Sequence, residues 1–200
     1  SVTVPGNGVG GGPYVSGPNS EIVINAVGTI QVPNPEFDGE NEKTIPRDYG
    51  FGVVEGSVAI GGEPLTNVVW GPDQIIGTVP NTAATGQLEI TRGDNGLSTI
   101  TGVTVQIGLP PRAEVLTVSG GESIQDAIDA AETNDLVLVG PGTYDEMVIM
   151  WKPVRLQGWG EGSTVIRAYK IPQEKTVAWG KKVEALVANG DVSLLPGQEI

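Results

Sequence analysis

Paired carboxylates are the first candidates for chemistry in this sequence. Asp145 and Glu146 stand side by side in the stretch GTYDEMV, and two carboxylates that flank one bond can act as general acid and base. The surrounding residues have the pattern of a strand, in which adjacent side chains point to opposite faces. The two groups therefore cannot flank one bond, and we predict a structural role. We assign no catalytic residue.

Three acidic residues alternate in the stretch DGENE. Asp38, Glu40 and Glu42 place oxygen atoms at every second position, as a calcium loop does, but they lack the spacing of an EF-hand. We predict a solvated acidic loop, with no metal site and no cofactor. Ca²⁺ binding at this loop is the alternative.

The tripeptide Arg92–Asp94 spells an adhesion motif. It lies next to Asn95 and Gly96, and an Asp-Asn-Gly sequence between two alternating runs is a strong hairpin signal. Turn chemistry explains the tripeptide, and we predict a hairpin rather than an adhesion site.

Tryptophan rings can stack on sugars, which makes the four tryptophans candidate ligand contacts. Trp151 and Trp159 stand beside predicted turns, where a ring can remain accessible, and they are the candidate carbohydrate contacts. Trp70 lies in a predicted strand, and Trp179 lies in the apolar stripe of a predicted helix.

Composition excludes several classes of function. The chain has 24 acidic and 11 basic residues and a formal charge of −13, which repels nucleic acid and anionic membrane surfaces. It contains no His and no Cys, so disulfides, thiolate nucleophiles, Cys/His zinc sites and imidazole catalysis are excluded. No apolar run approaches the roughly 20 residues of a membrane span, and the first residues lack the pattern of a signal peptide.

Short strands dominate the first half of the chain. Residues 1–19 are rich in Gly and Pro, which predicts a linker. Residues 20–108 contain short β-branched runs separated by turn residues, which is typical of a β-sandwich. The polar stretch 34–52 has no helical period, so we predict a long loop here. Residues 33–47 are its main part.

The stretches DYGFG, GSVAIGGEPL, VVWGPDQIIGTVP and ATGQLEITRGDNGLST follow one another in this region. In that order they resemble an IPT/TIG domain. The resemblance covers residues 20–108 and implies an immunoglobulin-like sandwich in which Trp70 is buried. Leu109-Pro110-Pro111 then predicts a domain boundary at 109–112, because neither proline can donate to a ladder.

The second half opens with one short amphipathic helix. Ser123 is a suitable N-cap, and Ile124, Ala127, Ile128 and Ala131 share one face, so we predict a helix over 123–132. After it, Val137 and Val154 are 17 residues apart, and Val148 and Val165 are also 17 residues apart. Equal spacings of short strands suggest the stacked coils of a β-solenoid.

The segment SIQDAIDAAETNDLVLVGPGTYDEMVIMWKPVRLQGWGEGSTVI strongly resembles the opening of a right-handed parallel β-helix of the pectin-lyase-like superfamily. The resemblance covers roughly residues 113–168 and implies the start of a β-helix whose short helix caps its open end. We predict that residues 113–200 form this β-helix segment. It also implies that the carboxylates of the family's enzymes belong to later coils. A stripe of apolar residues over 173–188 predicts a helical insertion.

These features predict an all-β chain: an Ig-like sandwich followed by the start of a β-helix with a capping helix and a helical insertion. We expect a non-catalytic extracellular or cell-surface module, structural or adhesive, that belongs to a larger protein. Polysaccharide, other surface proteins, or a second copy at an open coil are the expected partners, with no nucleic acid and no membrane insertion. The alternative is the N-terminal region of a secreted carbohydrate-active enzyme or a carbohydrate-binding protein.

Overall fold

A computed structural model describes residues 1–6, 8, 10–169 and 171–198. The described residues form sixteen strands and two helices, so the fold class is all-β. The chain divides into two compact units, Ser1–Gly108 and Leu109–Ile200. Each unit is described by itself below.

Unit 1 contains the first eleven strands of the described chain. They are β1 (Val2–Thr3), β2 (Tyr14–Val15), β3 (Glu21–Asn25), β4 (Thr29–Pro33), β5 (Thr44–Asp48), β6 (Ser57–Ile60), β7 (Glu63–Pro64), β8 (Thr66–Trp70), β9 (Gln74–Thr78), β10 (Gly86–Thr91) and β11 (Thr104–Ile107). One sheet has the strand order β1-β3-β9-β8, and a second has the order β2-β11-β10-β6-β7. All neighbours in these two sheets are antiparallel except β2 and β11.

Both sheets of unit 1 contribute to one apolar core. Ile22 and Ile75 of the first sheet belong to the same buried cluster as Ile60, Leu88 and Val105 of the second. Buried and more exposed residues alternate along β3 and β9, because successive side chains of a strand point to opposite faces. The core therefore lies on one face of each sheet.

Residues 1–19 are not a linker. Val2, Val4 and Val15 are buried in the core of unit 1, β1 pairs with β3, and β2 pairs with β11. Between these strands the chain turns through three successive glycines, residues 10–12, that all have positive φ. Glycine adopts this backbone region without steric cost, so the composition reflects tight turns and not a flexible spacer.

The predicted loop over 33–47 is confirmed for residues 34–43 and wrong at its two ends, because Pro33 ends β4 and residues 44–47 belong to β5. The strands β4 and β5 form an antiparallel hairpin separate from both sheets. Asn34 N–H donates to Lys43 O and Tyr49 N–H donates to Gly28 O, at the two ends of the ladder. The alternation of hydrogen-bonded pairs then places Pro46, opposite Gln31, at a position where no N–H points to the partner strand. Proline is tolerated there, although its presence argues against a strand in the sequence.

Unit 2 is built from parallel strands. Its elements are β12 (Val115–Val118), α1 (Ile124–Ala130), β13 (Leu136–Val139), β14 (Gly142–Tyr144), β15 (Arg155–Gly158), β16 (Thr164–Ile166) and α2 (Gln173–Ala188). The strands β12, β13 and β15 form one parallel sheet, and β14 and β16 form another. The helices predicted over 123–132 and 173–188 are present as α1 and α2.

The register of these strands differs from the predicted spacing. Val137 pairs with Leu156, two residues beyond Val154, and Val165 pairs with Thr143 instead of Val148. The first difference is two residues, which leaves the same side chains on the same face of a strand, so the apolar pattern cannot distinguish these two registers. The second prediction fails for another reason, because Val148 lies outside the strands of the described chain.

The core of unit 2 lies between α1 and the strands. Ile124 and Ile128 of α1 are buried with Val118, Val137 and Tyr144.

Among the described residues, no helix combines the length and the apolar character that a membrane span requires.

Close backbone packing at Gly56 provides a test of the unit 1 architecture. A Cβ atom at this position would lie 1.9 Å from the carbonyl oxygen of Thr91, on the strand that pairs with β6. We expect Gly56→Ala to lower the free energy of unfolding of unit 1 by about 2 kcal/mol or more, because the backbone must move. The measurement is urea unfolding followed by the NMR resonances of β6 and β10, because three of the four tryptophans lie in unit 2 and would contribute to a fluorescence signal.

Gly17→Ala is the matched control, because no atom lies within 4 Å of the added Cβ and its φ is not positive. Equal unfolding midpoints for the two variants would contradict the observed approach of β6 and β10.

Candidate functional site

A cleft in unit 2 brings together several chemically capable side chains of that unit. It has a volume of about 330 Å³ and lies between α1, the start of the segment 145–152 and α2. Carboxylates from α1 and from residues 145 and 146 line it, together with two lysines and Trp179 of α2. We call it the α1–α2 cleft, and we call residues 145–152 the clamp segment.

The clamp segment caps the beginning of α1. Glu146 Oε1 accepts a hydrogen bond from Ile124 N–H at 2.9 Å, and its Oε2 accepts from Gln125 N–H at 3.1 Å and from Ser123 Oγ at 3.2 Å. Ser123 is also the N-cap, since its Oγ accepts from Asp126 N–H. The first N–H groups of a helix have no partner within the helix, and a carboxylate also interacts favourably with the positive end of the helix dipole.

The clamp segment also forms hydrogen bonds with side chains of α1. Ile149 N–H donates to Gln125 Oε1 at 2.7 Å, while Gln125 Nε2 donates to Ile149 O at 3.3 Å, so the amide side chain pairs with the backbone as a strand would. One turn further on, Trp151 Nε1 donates to Asp129 Oδ1 at 2.7 Å. The segment has no regular secondary structure, and these bonds take the place of a ladder.

Lys152 completes the contact at the end of α1. Its Nζ donates to the carbonyl oxygens of Asp129 at 2.7 Å and Ala131 at 2.6 Å. The last carbonyls of a helix have no intrahelical donor, and a cation is favourable at this negative end. An acid at the start and a base at the end of α1 thus come from one neighbouring segment.

Asp145 is engaged on the outer side of the cleft. Its two carboxylate oxygens accept from Arg167 Nε at 2.8 Å and Arg167 Nη2 at 3.2 Å, and its backbone carbonyl accepts from Lys175 Nζ of α2 at 2.7 Å. The bidentate geometry is the favourable one for a guanidinium and a carboxylate. Asp145 and Glu146 therefore have separate partners and do not face a common point.

Asp129 joins α1 to α2. Its Oδ2 accepts from Lys182 Nζ at 2.6 Å, and its Oδ1 accepts from Gln125 Nε2 and Trp151 Nε1. Burial raises the pKa of Asp129, but the hydrogen bonds from Lys182, Trp151 and Gln125 outweigh it and hold the pKa below its ordinary value. The carboxylate is therefore charged at neutral pH and unsuited to donate a proton.

The two predicted carbohydrate contacts have different environments. The Trp151 ring has Lys152 Nζ 4.4 Å and Lys182 Nζ 5.8 Å from its centre, so cations already occupy positions close to it. Trp159 is half-buried, and its indole N–H is buried without a hydrogen-bond partner among the described residues. Neither is an exposed ring.

Trp179 is the tryptophan that the sequence did not single out. Its side chain is 39% exposed, and it lines the α1–α2 cleft. The sequence placed it only in the apolar stripe of a predicted helix, and the placement of α2 in unit 2 shows that it reaches the cleft. Trp70 of unit 1 is half-buried: its Nε1 donates to Gly52 O at 3.0 Å, and its ring meets Phe51 edge to face at 6.2 Å.

The motifs of unit 1 have structural partners. Arg92 forms a bidentate ion pair with Asp94, and its Nη1 donates to Gly50 O. Asp38 Oδ1 accepts from the backbone N–H groups of Glu40 and Asn41 at the tip of the β4–β5 hairpin. Among the described residues, no group of three or more His, Cys, Asp or Glu side chains has the arrangement needed for a metal ion.

Comparisons with known proteins give no assignment: no family model, no curated protein and no solved structure matches this chain. Function must therefore be inferred from the geometry alone.

Removal of the Glu146 carboxylate tests the cap on α1. We expect Glu146→Ala to lower the free energy of unfolding of unit 2 by about 1–3 kcal/mol, because two backbone N–H groups lose their acceptor. Glu146→Gln keeps one oxygen acceptor and should have an intermediate effect. Amide hydrogen exchange at Ile124 and Gln125 measures the loss locally, with the exposed Glu161→Ala as control; unchanged exchange in Glu146→Ala would disprove the cap.

The lowered pKa of Asp129 predicts a pH dependence of stability. A carboxyl group whose pKa is lower in the folded than in the unfolded state stabilises the fold above its unfolded pKa, and this contribution disappears as the pH falls through the folded pKa. Asp129→Asn should therefore be less stable than the wild type at neutral pH. The difference between them should shrink below about pH 4, near the ordinary pKa of Asp.

The measurement is thermal unfolding at a series of pH values, with Glu184→Gln of the exposed face of α2 as the charge-matched control. A difference between wild type and Asp129→Asn that does not change with pH would refute the role of the ionised carboxylate.

Proposed function

We propose that this chain is a non-catalytic structural and adhesive module of an extracellular or cell-surface protein. In this proposal unit 1 is an immunoglobulin-like sandwich of the IPT/TIG kind. Unit 2 is the first part of a right-handed parallel β-helix, with α1 as its cap and α2 as a helical insertion. The core shared by two mainly antiparallel sheets and the parallel register of β12, β13 and β15 support these assignments.

The observation that carries the proposal is the use made of the carboxylates in unit 2. Glu146 caps α1, Asp145 pairs with Arg167, and Asp129 joins α1 to Lys182. Asp135 is buried and accepts from the backbone N–H groups of Glu114 at 2.8 Å and Glu132 at 2.7 Å. A general acid or base must be within reach of a substrate proton, whereas these four groups hold backbone and side chains of the protein itself.

A scaffold role agrees with the way the strands stack. Each strand of the β12-β13-β15 sheet pairs in parallel with the next, over four consecutive residues. Such coils contact only their neighbours, so the architecture can be extended without a change in the existing contacts. This property suits a rigid support for binding modules.

Carbohydrate binding without turnover is the second candidate function. The observation that favours it is the α1–α2 cleft, where the exposed Trp179 lies beside the carboxylates of Asp126 and Asp145. An aromatic ring next to polar groups that accept hydrogen bonds from hydroxyls is a suitable surface for a sugar. Trp151 and Trp159 are less accessible candidates for the same contact.

One experiment tests the main proposal and separates it from its alternatives. The purified chain is incubated with a panel of neutral and acidic polysaccharides; chain cleavage is followed by size-exclusion chromatography and binding by calorimetry. We expect no cleavage. Cleavage that is lost in Asp145→Asn or Glu146→Gln, with the fold retained, would refute the non-catalytic assignment. Binding that is at least roughly tenfold weaker in Trp179→Ala, but unchanged in the exposed control Val177→Ala, would establish the second function.

The location is tested separately. Antibodies against the chain should label intact source cells, or the material they secrete, without permeabilisation. Labelling only after permeabilisation would contradict a surface or secreted role.

A further inference from the structure

The β4–β5 hairpin, residues 29–48, is an arm on unit 1 that contributes nothing to the core. Not one of its residues is buried, and the core of unit 1 includes none of them. The two strands are about 17 Å long at 3.3 Å per residue. A two-stranded hairpin is at best marginally stable in water by itself, so an arm of this kind gains stability from a surface that covers it.

One face of the arm carries three apolar side chains and Arg47. Ile30 lies opposite Arg47, and Val32 lies opposite Ile45, and residues directly opposite in an antiparallel pair share a face. Ile30 is 42% exposed, and Val32 and Ile45 are half-buried. The other face carries the Thr29–Asp48 and Gln31–Pro46 pairs and is mostly polar. The face of Ile30, Val32 and Ile45 is therefore the one that can be buried by a partner.

The tip of the arm is ordered by its own hydrogen bonds. Asn34 Oδ1 accepts from Glu36 N–H, Asn34 Nδ2 donates to Glu42 O, and Asp38 Oδ1 accepts from Glu40 and Asn41 N–H. Phe37 is 41% exposed and lies at this tip, with Lys43 Nζ 6.0 Å from the centre of its ring. A tip that is already ordered loses little conformational entropy on binding.

The edges of the arm are unsuited to strand addition. In this ladder the backbone nitrogens of some residues point away from the partner strand. These residues are 29, 31 and 33 of β4 and 44, 46 and 48 of β5. Pro33 and Pro46 occupy two of these positions and cannot donate. Prolines on edge strands discourage pairing with another chain, so the apolar face and the tip remain as the docking surface.

The charge of the arm selects the partner. It contains Glu36, Asp38, Glu40, Glu42 and Asp48 against Lys43 and Arg47. A second copy of this chain would bring its own charge of −13 towards this acidic tip, and like charges oppose such an approach. A basic surface is attracted to it and is selected by the same field.

We infer that the β4–β5 arm is a docking element for a protein partner that presents an apolar helix face flanked by lysine or arginine. Ile30, Val32 and Ile45 pack against the apolar face of that helix, and the acidic tip meets its basic residues. The inference is independent of the carbohydrate and scaffold roles of unit 2.

The test uses two synthetic amphipathic helices as probes, one built from Leu and Lys and the other from Leu and Glu. Fluorescence anisotropy measures the binding of each labelled probe to the full chain. We expect the Lys probe to bind and the Glu probe not to bind. Ile30→Ser with Ile45→Ser should weaken binding of the Lys probe at least roughly tenfold, the loss expected when a buried apolar pair is removed from an interface. The double substitution of Glu40→Gln and Glu42→Gln should also weaken binding of the Lys probe, and the loss should be larger at low salt than at high salt.

The matched control is Leu97→Ser with Ile100→Ser, two exposed apolar residues of unit 1 outside the arm, at 68% and 96% exposure. All variants are first compared by circular dichroism melting, and because none of these side chains belongs to the core of unit 1 the fold should be retained. Equal loss of binding in the control and the arm variants, equal binding of both probes, or no binding of either, would each overturn the inference. Sedimentation that shows a dimer lost with the arm variant would overturn it in favour of a second copy.

Discussion

Unit 2 depends on the contact between α1 and the clamp segment. Seven residues are too few for a stable isolated helix, and α1 obtains its missing hydrogen bonds from Glu146 at its start and Lys152 at its end. In this position Ile124 and Ile128 cover the apolar side chains of the parallel strands. The hydrogen bonds between α1 and the clamp segment therefore fix both the position of α1 on the core and the path of the chain after β14.

The same bonds decide what chemistry remains in the α1–α2 cleft. Its carboxylates are numerous, but Glu146, Asp145 and Asp129 are each held by donors of the protein. The hydrogen bonds that hold Asp129 keep it ionised, and an ionised, fully engaged carboxylate neither donates nor accepts a proton readily. The accessible part of the cleft includes the exposed ring of Trp179 and the carboxylate of Asp126.

Unit 1 divides its apolar residues differently. The two sheets share one core, while the apolar face of the β4–β5 arm remains at the surface. Prolines at both edges of the arm and hydrogen bonds within its tip are features of an element that is stable against edge-to-edge association. The proposed docking through the arm and the proposed scaffold role of unit 2 are compatible within one chain, because they rest on separate units.

Local patterns in the sequence predicted the elements whose signals are local. The helices α1 and α2 follow from apolar spacing, with the N-cap at Ser123, and the hairpin turn at residues 94–96 follows from its Asp-Asn-Gly sequence. Local composition was misleading where partners are distant: residues 1–19 resemble a linker, yet Val2 and Val15 pair with strands far along the chain. Strand register, the capping role of Glu146 and the exposure of Trp179 were decided only in the tertiary structure. Each depends on which segments lie side by side, and a periodic pattern specifies the face of a strand or helix but not its neighbour.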